Sequence, residues 1–471
     1  MDDIFEILYN KIENMYSFIN SYIFNKEEEE QLIDTIYIII NEIINKDKML
    51  YIKPNFQSIV YEEVFELLKC QLEDINNFVL DDYIDNKIKE CIGYAFTKYY
   101  KNVSPKRSYI EEECEINKKE EIEITKLKNT INYLQNIKQP QQRTDEWYEF
   151  RNNVITASNI FNLFRTKQSL NTFIYDKCNN DIEKCKASNY SIDISTPMGW
   201  GQLFEKVSVQ YYENKYNTLI GEFGCITHKK YNFLAASPDG INIKEDNTKY
   251  GRMLEIKNIT NREINGIPKM EYWIQTQIQM EVCDLDECDF LESHFKEYEN
   301  ENEFYEDFNK SSYDKGIILY LNDNGKSIFE YSVWGMSAEQ LKIWEEETLI
   351  KCSNFEYVRS IYWKLEKISC VVIPRNKLWF EDAIIIIEET WNNILREREN
   401  GDYVKRKTNR KTKCETKNVC LIDTSVFNNN NNNDDVKKEC ETNIYNYIGC
   451  KDNEYENVYL DTNVNNENDM I

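Results

Sequence analysis

Histidine is nearly missing from this chain: His228 and His294 are the only two in 471 residues. Cysteine occurs 14 times, yet no two fall in a C-x-x-C pair, and Cys283/Cys288 and Cys414/Cys420 are loosely spaced. Structural zinc sites use Cys and His at short fixed spacings, so this pattern argues against one. Long apolar runs are missing too. The stretch IYIIINEII (36–44) is far shorter than the ~20 residues needed to span a bilayer, and no membrane association is expected. Met1 is followed by Asp2 and Asp3 rather than by a secretory signal. The expectation is an intracellular, reducing compartment with buried free thiols.

An excess of positive charge is also missing. Lys and Arg number 57 against 83 Asp and Glu, a net charge of -26, which argues against a generic polyanion binder. The deficit is uneven. Residues 1–140 carry about -10, 141–280 about +1 and 281–471 about -17. Any nucleic-acid contact in the neutral middle segment must then be local rather than a broad basic face. What is present suffices for a packed core, with 41% hydrophobic and 13% aromatic residues. The length suggests two or three domains.

Residues 1–135 read as mostly helical, with apolar residues at threes and fours as in FEILYNKIENMYSFI (5–19). Breaks are expected at Pro54 and at KNVSPKRS (101–108). QPQQRTDEW (139–147) reads as a linker, 145–164 as a helix and its approach, and the residues around Cys178 and Cys185 as a polar loop. TPMGWGQLFEKVSVQYYENKY (196–216) reads as an amphipathic helix with Leu203, Val207 and Tyr211 on one face. EFGCITH (222–228), YNFLAASP (231–238) and GRMLEIKN (251–258) read as three strands, the first two antiparallel. A helix over 270–284 and a strand over 288–295 follow. Next come strands over 316–322 and 327–334 joined by an Asp-Asn-Gly turn, then helices near 337–352 and 377–398. From about 400 a basic stretch, KRKTNRKTK (405–413), leads into six asparagines and an acidic end, the composition of a disordered tail.

The chemistry concentrates in LAASPDGINIKEDNTKYGRMLEIKN (234–258). Strand alternation puts Leu254 and Ile256 on one face and Glu255 and Lys257 on the other. Asp239 ends a neighbouring strand. Asp239, Glu255 and the Ile256 carbonyl can supply hard oxygen ligands to Mg²⁺. Lys257 can hold or help deprotonate an attacking water and stabilise developing charge, as phosphodiester hydrolysis requires. The bland alternative is two solvated strand ends.

Pro238-Asp239 followed by Glu255-Ile256-Lys257 resembles the PD-(D/E)xK nucleases, and within them the phage lambda-type exonuclease and viral recombinase (YqaJ-like) family. Four further stretches carry the resemblance, in the family's order: RNNVITAS (151–158), WGQLFE (200–205), ASPDG (236–240) and YWIQTQ (272–277). Together they cover roughly 140–295.

The resemblance implies roles residue by residue. Asp239, Glu255, the Ile256 carbonyl and Glu205 would hold the metal, Mg²⁺ with Mn²⁺ as a substitute. Lys257 would act on the water, and Gln275 would orient the water or a ligand. Arg151, Ser158 and Ser237 would hold a terminal 5′-phosphate, for which a guanidinium fork and two hydroxyls are suited. Each has a plainer reading. Glu205 can be a solvated helix acid, a reading weakened by its spacing from Gly201, taken as a close-packing position. Arg151 can be a surface ion pair, Ser158 a helix cap and Ser237 turn chemistry. Gln275 and Gln279 can line an exposed helix face. Trp147, Trp200 and Trp273 read as core anchors, and both histidines as structural.

The expected fold is α/β, a restriction-endonuclease-like core with a central mixed sheet flanked by helices. A helical extension occupies 1–135, the nuclease domain 140–400 with its motif core at 145–295, and the tail 401–471. The expected activity is 5′-to-3′ hydrolysis of one strand from double-stranded DNA ends, giving 3′ single-stranded tails for recombination or repair. The alternatives are an endonuclease of the same fold and a non-catalytic DNA-end-binding scaffold. The resemblance further implies a ring-forming homo-oligomer, a trimer, a single-strand annealing protein as partner, and host cytoplasm or nucleus if the source is viral.

Overall fold

A computed structural model of the chain describes residues 26–76, 82–111, 121–140, 144–179, 193–308 and 310–407. The segment FEILYNKIENMYSFI, Cys185, and the Asn-rich and acidic tail lie outside them.

The N-terminal part is helical, as its periodicity requires. Helix α1 (Lys26–Lys46) starts with Glu27, Glu28 and Glu29, which suit the positive end of the helix dipole. It buries Leu32, Ile36, Ile39, Ile40 and Ile44, spaced by threes and fours. A 3-10 turn (Lys48–Ile52) ends just before Pro54, and α2 (Phe56–Asn76), α3 (Asp82–Asn102) and α4 (Glu121–Gln135) follow. The chain then forms α5 (Asp145–Asn152), β1 (Ile155–Thr156) and α6 (Lys167–Asn179). Helix α6 corrects the expected polar loop around Cys178. Phe173, Ile174 and Cys178 face inward at helical spacing, so the polar residues between them only mark the wet side.

Helix α7 (Pro197–Tyr216) leads to β2 (Ile220–Gly221), β3 (Ile226–Thr227), β4 (Leu234–Ala236), β5 (Gly240–Asn242) and β6 (Met253–Asn258). Helix α8 (Met270–Cys283), β7 (Glu287–Glu297), α9 (Glu301–Asp307), β8 (Lys315–Asp323) and β9 (Lys326–Tyr331) follow. Helix α10 (Ala338–Lys351), β10 (Glu356–Pro374) and α11 (Lys377–Asn400) complete the order. The β8–β9 turn has Asn324 and Gly325 at φ of 51° and 91°, the left-handed pair that a tight hairpin demands.

The strands expected at 222–228, 231–238 and 251–258 do not form one run. β1, β4 and β3 make a small sheet in that order, β1 parallel and β3 antiparallel to β4. β6 belongs to a seven-stranded mixed sheet of order β2-β5-β6-β7-β10-β8-β9, in which β6 and β7 are parallel. Asp239 therefore sits where the chain leaves one sheet and enters the other. The sequence reading also missed β10, the longest strand. It pairs β7 from Trp363 to Pro374 and β8 from Glu356 to Lys364. Its alternation is clear only at Ile361, Trp363 and Leu365 and is then broken by a register shift between Leu365 and Lys367.

The N-terminal helices share one hydrophobic cluster with α8 and α11. Trp273 of α8 is fully buried, donates from Nε1 to the Arg107 carbonyl at 3.0 Å, and lies 5.2 Å from Trp379 and 6.5 Å from Tyr51 between ring centroids. Tyr109 exchanges two backbone hydrogen bonds with Val372 of β10. Glu111 then accepts from Lys249 and from both terminal nitrogens of Arg252, and these two cations also bind the buried Asp289.

Burial works upward on the Glu111 carboxyl, but the bonds from Arg252 and Lys249 outweigh it and bring its pKa down to about 2. A depressed folded-state pKa means stability that is present above the unfolded value of 4.5 and lost as pH falls toward about 2. The stability advantage of wild type over Glu111→Gln should accordingly be full above about pH 5 and vanish near the lower value. Urea melts of both proteins across that range check this, and a gap independent of pH would refute it.

Candidate active site

Three elements carry the site. Helix α7 begins at Thr196, whose hydroxyl accepts from the Gly199 amide at 3.1 Å, with Pro197 in the first turn. Its inner face packs Leu203, Phe204 and Val207 against Phe295 and Trp363, and Tyr212 against Leu254 and Ile256 of β6. That packing covers with α7 the face of β6 on which the alternation placed Leu254 and Ile256. Asn258 fastens the end of β6 to the helix, donating to the Gly201 carbonyl at 2.9 Å and accepting from the Ser208 hydroxyl at 2.7 Å. Gly201 is not a close-packing position. A Cβ there would meet open space, whereas at Gly199 it would run into the Asp193 carbonyl.

Glu255 and Lys257 point to the other face, toward α8. Glu255 is completely buried. Its Oε1 accepts from Lys257 Nζ and, at 2.6 Å, from Gln275 Nε2; its Oε2 accepts from Gln279 Nε2 at 2.7 Å. Asp239 meets this arrangement from the β5 side, where its Oδ2 accepts from the Ile256 amide at 2.7 Å. In a strand, N–H and C=O of one residue leave on the same side, so the Ile256 carbonyl also faces Asp239.

An open groove of about 640 Å³ is bordered by Glu205, Asp239, Ile256 and Lys257, and also by Arg262, Lys269 and Tyr272. Lys257 and Arg262 both lie over the Tyr272 ring, at 5.2 and 5.5 Å. Arg262 is also paired with the buried Glu292. Within an acidic protein the groove therefore holds local cations beside its acids.

The electrostatics are those of crowded carboxylates. The Asp239 carboxyl is pushed well above its ordinary pKa by lost hydration and by Glu255, with Glu205 adding to it. Glu205, an exposed residue at the groove edge, is raised by the same two causes, local desolvation and then Glu255. Burial works against the charged form of Lys257, but Glu255 and Asp239 outweigh it and raise the ammonium pKa above its usual value. A cation between these acids would relieve their repulsion. Asp239 and Glu205, which border the groove, offer hard carboxylate oxygens. They fit a small divalent ion that binds one or two carboxylates and keeps several waters. Among the described residues no three Asp, Glu, His or Cys side chains close around one point, so the donors suit such a partly hydrated ion rather than an all-protein cage.

The remaining candidates are distributed as follows. The β1–β4 register, Ile155 with Leu234 and Thr156 with Ala235, brings the exposed Ser158 and Ser237 to neighbouring strand ends. The Ser237 carbonyl accepts from Gln279 at 3.2 Å. The Arg151 guanidinium lies 4.7 Å over the Trp147 ring, and its carbonyl accepts from Lys177. Arg151, Ser158 and Ser237 do not border the groove among the described residues, and Glu255 and Gln275 lie behind its lining, Gln275 joined to Glu255 and Glu255 to Lys257. His228 accepts two backbone N–H groups and stacks near Phe380, a structural role. The plainer alternative of an exposed helix face does not hold for Gln279, which is fully buried against Glu255. Its spacing of four from Gln275 was the available signal.

Carboxylates, a lysine and an open groove on an α/β sheet are the kinds of group that phosphodiester hydrolysis uses. Residues 146–286 match the family of the YqaJ-like viral recombinase domain, which bears out the resemblance read from the motifs and indicates a nuclease. All the site residues from Arg151 to Gln279 lie inside that match. The chain is also 26% identical over 441 residues to an uncharacterized protein of Acanthamoeba polyphaga mimivirus, covering 80% of this chain and 78% of that one. Two crystal structures of LHK-Exo, an alkaline exonuclease from Laribacter hongkongensis, are similar over 56% of this chain. One, in complex with dAMP, gives a TM-score of 0.33 at 16% identity over 98% of its own chain, and the other 0.31 at 18% over 97%. Among the described residues no helix is long and apolar enough to cross a membrane.

Proposed function

We propose that this chain is a divalent-metal-dependent DNA exonuclease that digests one strand of a duplex from a 5′-phosphorylated end, leaving 3′ single-stranded tails. The observation that carries the reading is the convergence of Asp239, Glu205, Lys257 and the Ile256 carbonyl on one groove, with Glu255 buried directly behind Lys257. Asp239, Glu205 and the Ile256 carbonyl would hold a Mg²⁺ or Mn²⁺ ion, with Glu255 beside them. Such an ion supplies phosphate charge neutralisation and a more acidic water.

The protein's own groups do the rest. Lys257, held protonated by Glu255 and Asp239, donates to the attacking water and to the charge that develops on phosphate oxygens. Gln275 fixes Glu255 so that Lys257 and the carboxylate keep one relative orientation. Arg262 and Lys269 offer charge to backbone phosphates along the groove wall. The neighbouring ends of β1 and β4 carry Ser158 and Ser237, which with Arg151 would take the terminal 5′-phosphate. A trimeric ring, an annealing partner and action inside a host cell belong to the same proposal.

The test is digestion of linear duplex labelled on either strand, with Mg²⁺ or EDTA. Mg²⁺-dependent release from 5′-phosphorylated ends is expected. Arg151→Ala should lower the preference for phosphorylated over hydroxyl ends by about 10-fold, the loss of one charge-assisted phosphate contact. Strong cutting of closed circles would favour the endonuclease reading. End binding without product in the wild type would favour the scaffold.

A further inference from the structure

Gln279 does what neither the motif nor the groove assigns to it. The sequence YWIQTQIQM places glutamines at 275, 277 and 279. On a helix, 275 and 279 share a face and 277 lies away from it. The structure uses them accordingly. Gln277 faces the back, donating to the Pro374 carbonyl at 2.9 Å and accepting from the Asn376 amide at 2.7 Å. Gln275 and Gln279 face β6 and take one oxygen each of Glu255.

The two front glutamines are not equivalent. Gln275 shares Glu255 Oε1 with Lys257. Gln279 is the amide on Oε2, and its Nε2 also donates to the Ser237 carbonyl, two residues before Asp239. One buried amide thus ties the α8 face, the Glu255 carboxylate and the chain segment that delivers Asp239. Its orientation is fixed by chemistry. Reversing the amide would set Oε1 against two acceptor oxygens, so the N–H side must face them. Its Oε1 is left buried with no hydrogen-bond partner among the described residues. A buried acceptor left unpaired is a cost that packing alone does not require.

We propose that Gln279 is a positioning residue for the metal-dependent reaction: it holds Glu255 Oε2 and the Ser237 strand end in one register, so that Asp239, the carboxylate that borders the groove, keeps a fixed place relative to the buried Glu255 and to the cation. The proposal rests on the nuclease reading above. It differs from a packing role in a checkable way. Outer partners of metal-binding carboxylates set metal affinity, with losses of about 10- to 100-fold when they are removed. A side chain that only fills space sets stability.

The experiment uses the full chain and Gln279→Met, which keeps the volume and removes the donor. Mn²⁺ binding is followed by electron paramagnetic resonance, independent of any activity. Mg²⁺-dependent digestion is measured in parallel. The expected result is a Kd for Mn²⁺ raised about 10-fold or more, a Mg²⁺ half-saturation raised by a similar factor, and KM for DNA at saturating metal changed by less than either, since every side chain proposed to contact phosphate is still present. A variant that binds Mn²⁺ as tightly as wild type overturns the proposal. If Gln279→Met does not fold, Gln279→Asn replaces it. It keeps an amide in the core but is one methylene too short to reach both partners. Weakened Mn²⁺ binding in that variant supports the proposal, and wild-type binding overturns it. Failure of the nuclease reading itself shows separately, as a wild type that binds Mn²⁺ yet releases no nucleotide.

Discussion

Lys257→Ala is expected to leave a folded protein that still binds duplex ends and cuts them about 10³-fold more slowly, the scale set by removing one donor aimed at developing charge. The fold should survive because Glu255 does not lose its last partner. With Lys257 gone, Gln275 still donates to Oε1 and Gln279 to Oε2. A buried carboxylate left with no donor would cost several kcal/mol, on the order of the 3–5 kcal/mol seen when one side of a buried pair is removed. Two amide donors avoid that outcome. Cleavage should fall regardless, since neither glutamine carries a charge. Single-turnover digestion, an end-binding titration and a thermal melt on the same preparation separate these effects. A variant retaining more than a tenth of the wild-type rate would remove Lys257 from the chemistry. A variant that unfolds would show that the ammonium is needed for the core.

The second large effect is on stability. Trp273→Ala should cost about 3–5 kcal/mol, the range for truncating a buried aromatic side chain. Trp273 has no exposed surface, stands edge-on to Trp379 and donates to the Arg107 carbonyl. Removing it opens a cavity and leaves that carbonyl to find another donor. The site lies close by, because Gln275 is two residues further along α8. A loss below about 1 kcal/mol in urea unfolding would mean that the helices from the N-terminal part can close over the gap. A loss within the expected range would show that residues before 112 and the sheet unfold as one core.

Much of the site could be read without coordinates because its signals are local. Strand alternation set Glu255 and Lys257 opposite Leu254 and Ile256, and the structure packs the latter pair under Tyr212. The helix over 270–283 and the Asn-Gly hairpin likewise follow from periodicity and turn chemistry. Other features could not be read. The run from 222 to 258 divides between two sheets, since β4 finds β1, seventy-odd residues earlier, while β5 and β6 join β7. Strand β10 was hidden because its two halves pair different neighbours and a register shift interrupts its alternation. No role for Gln279 could be read, because polarity in sequence does not reveal a buried carboxylate waiting across the helix.

The sequence by itself determined which residues of β6 and of α8 share a face, and it singled out Asp239, Glu255 and Lys257 as the candidate acids and lysine. Those properties follow from the period of a strand or a helix and from the backbone needs of a turn, all spanning a few residues. Only the tertiary structure decided that Asp239 binds the Ile256 amide, that two glutamines divide the oxygens of Glu255, and that the N-terminal helices close the same core as α8. These depend on sheet order and on packing between distant segments, where many pairings satisfy the same local pattern and the buried contacts select one.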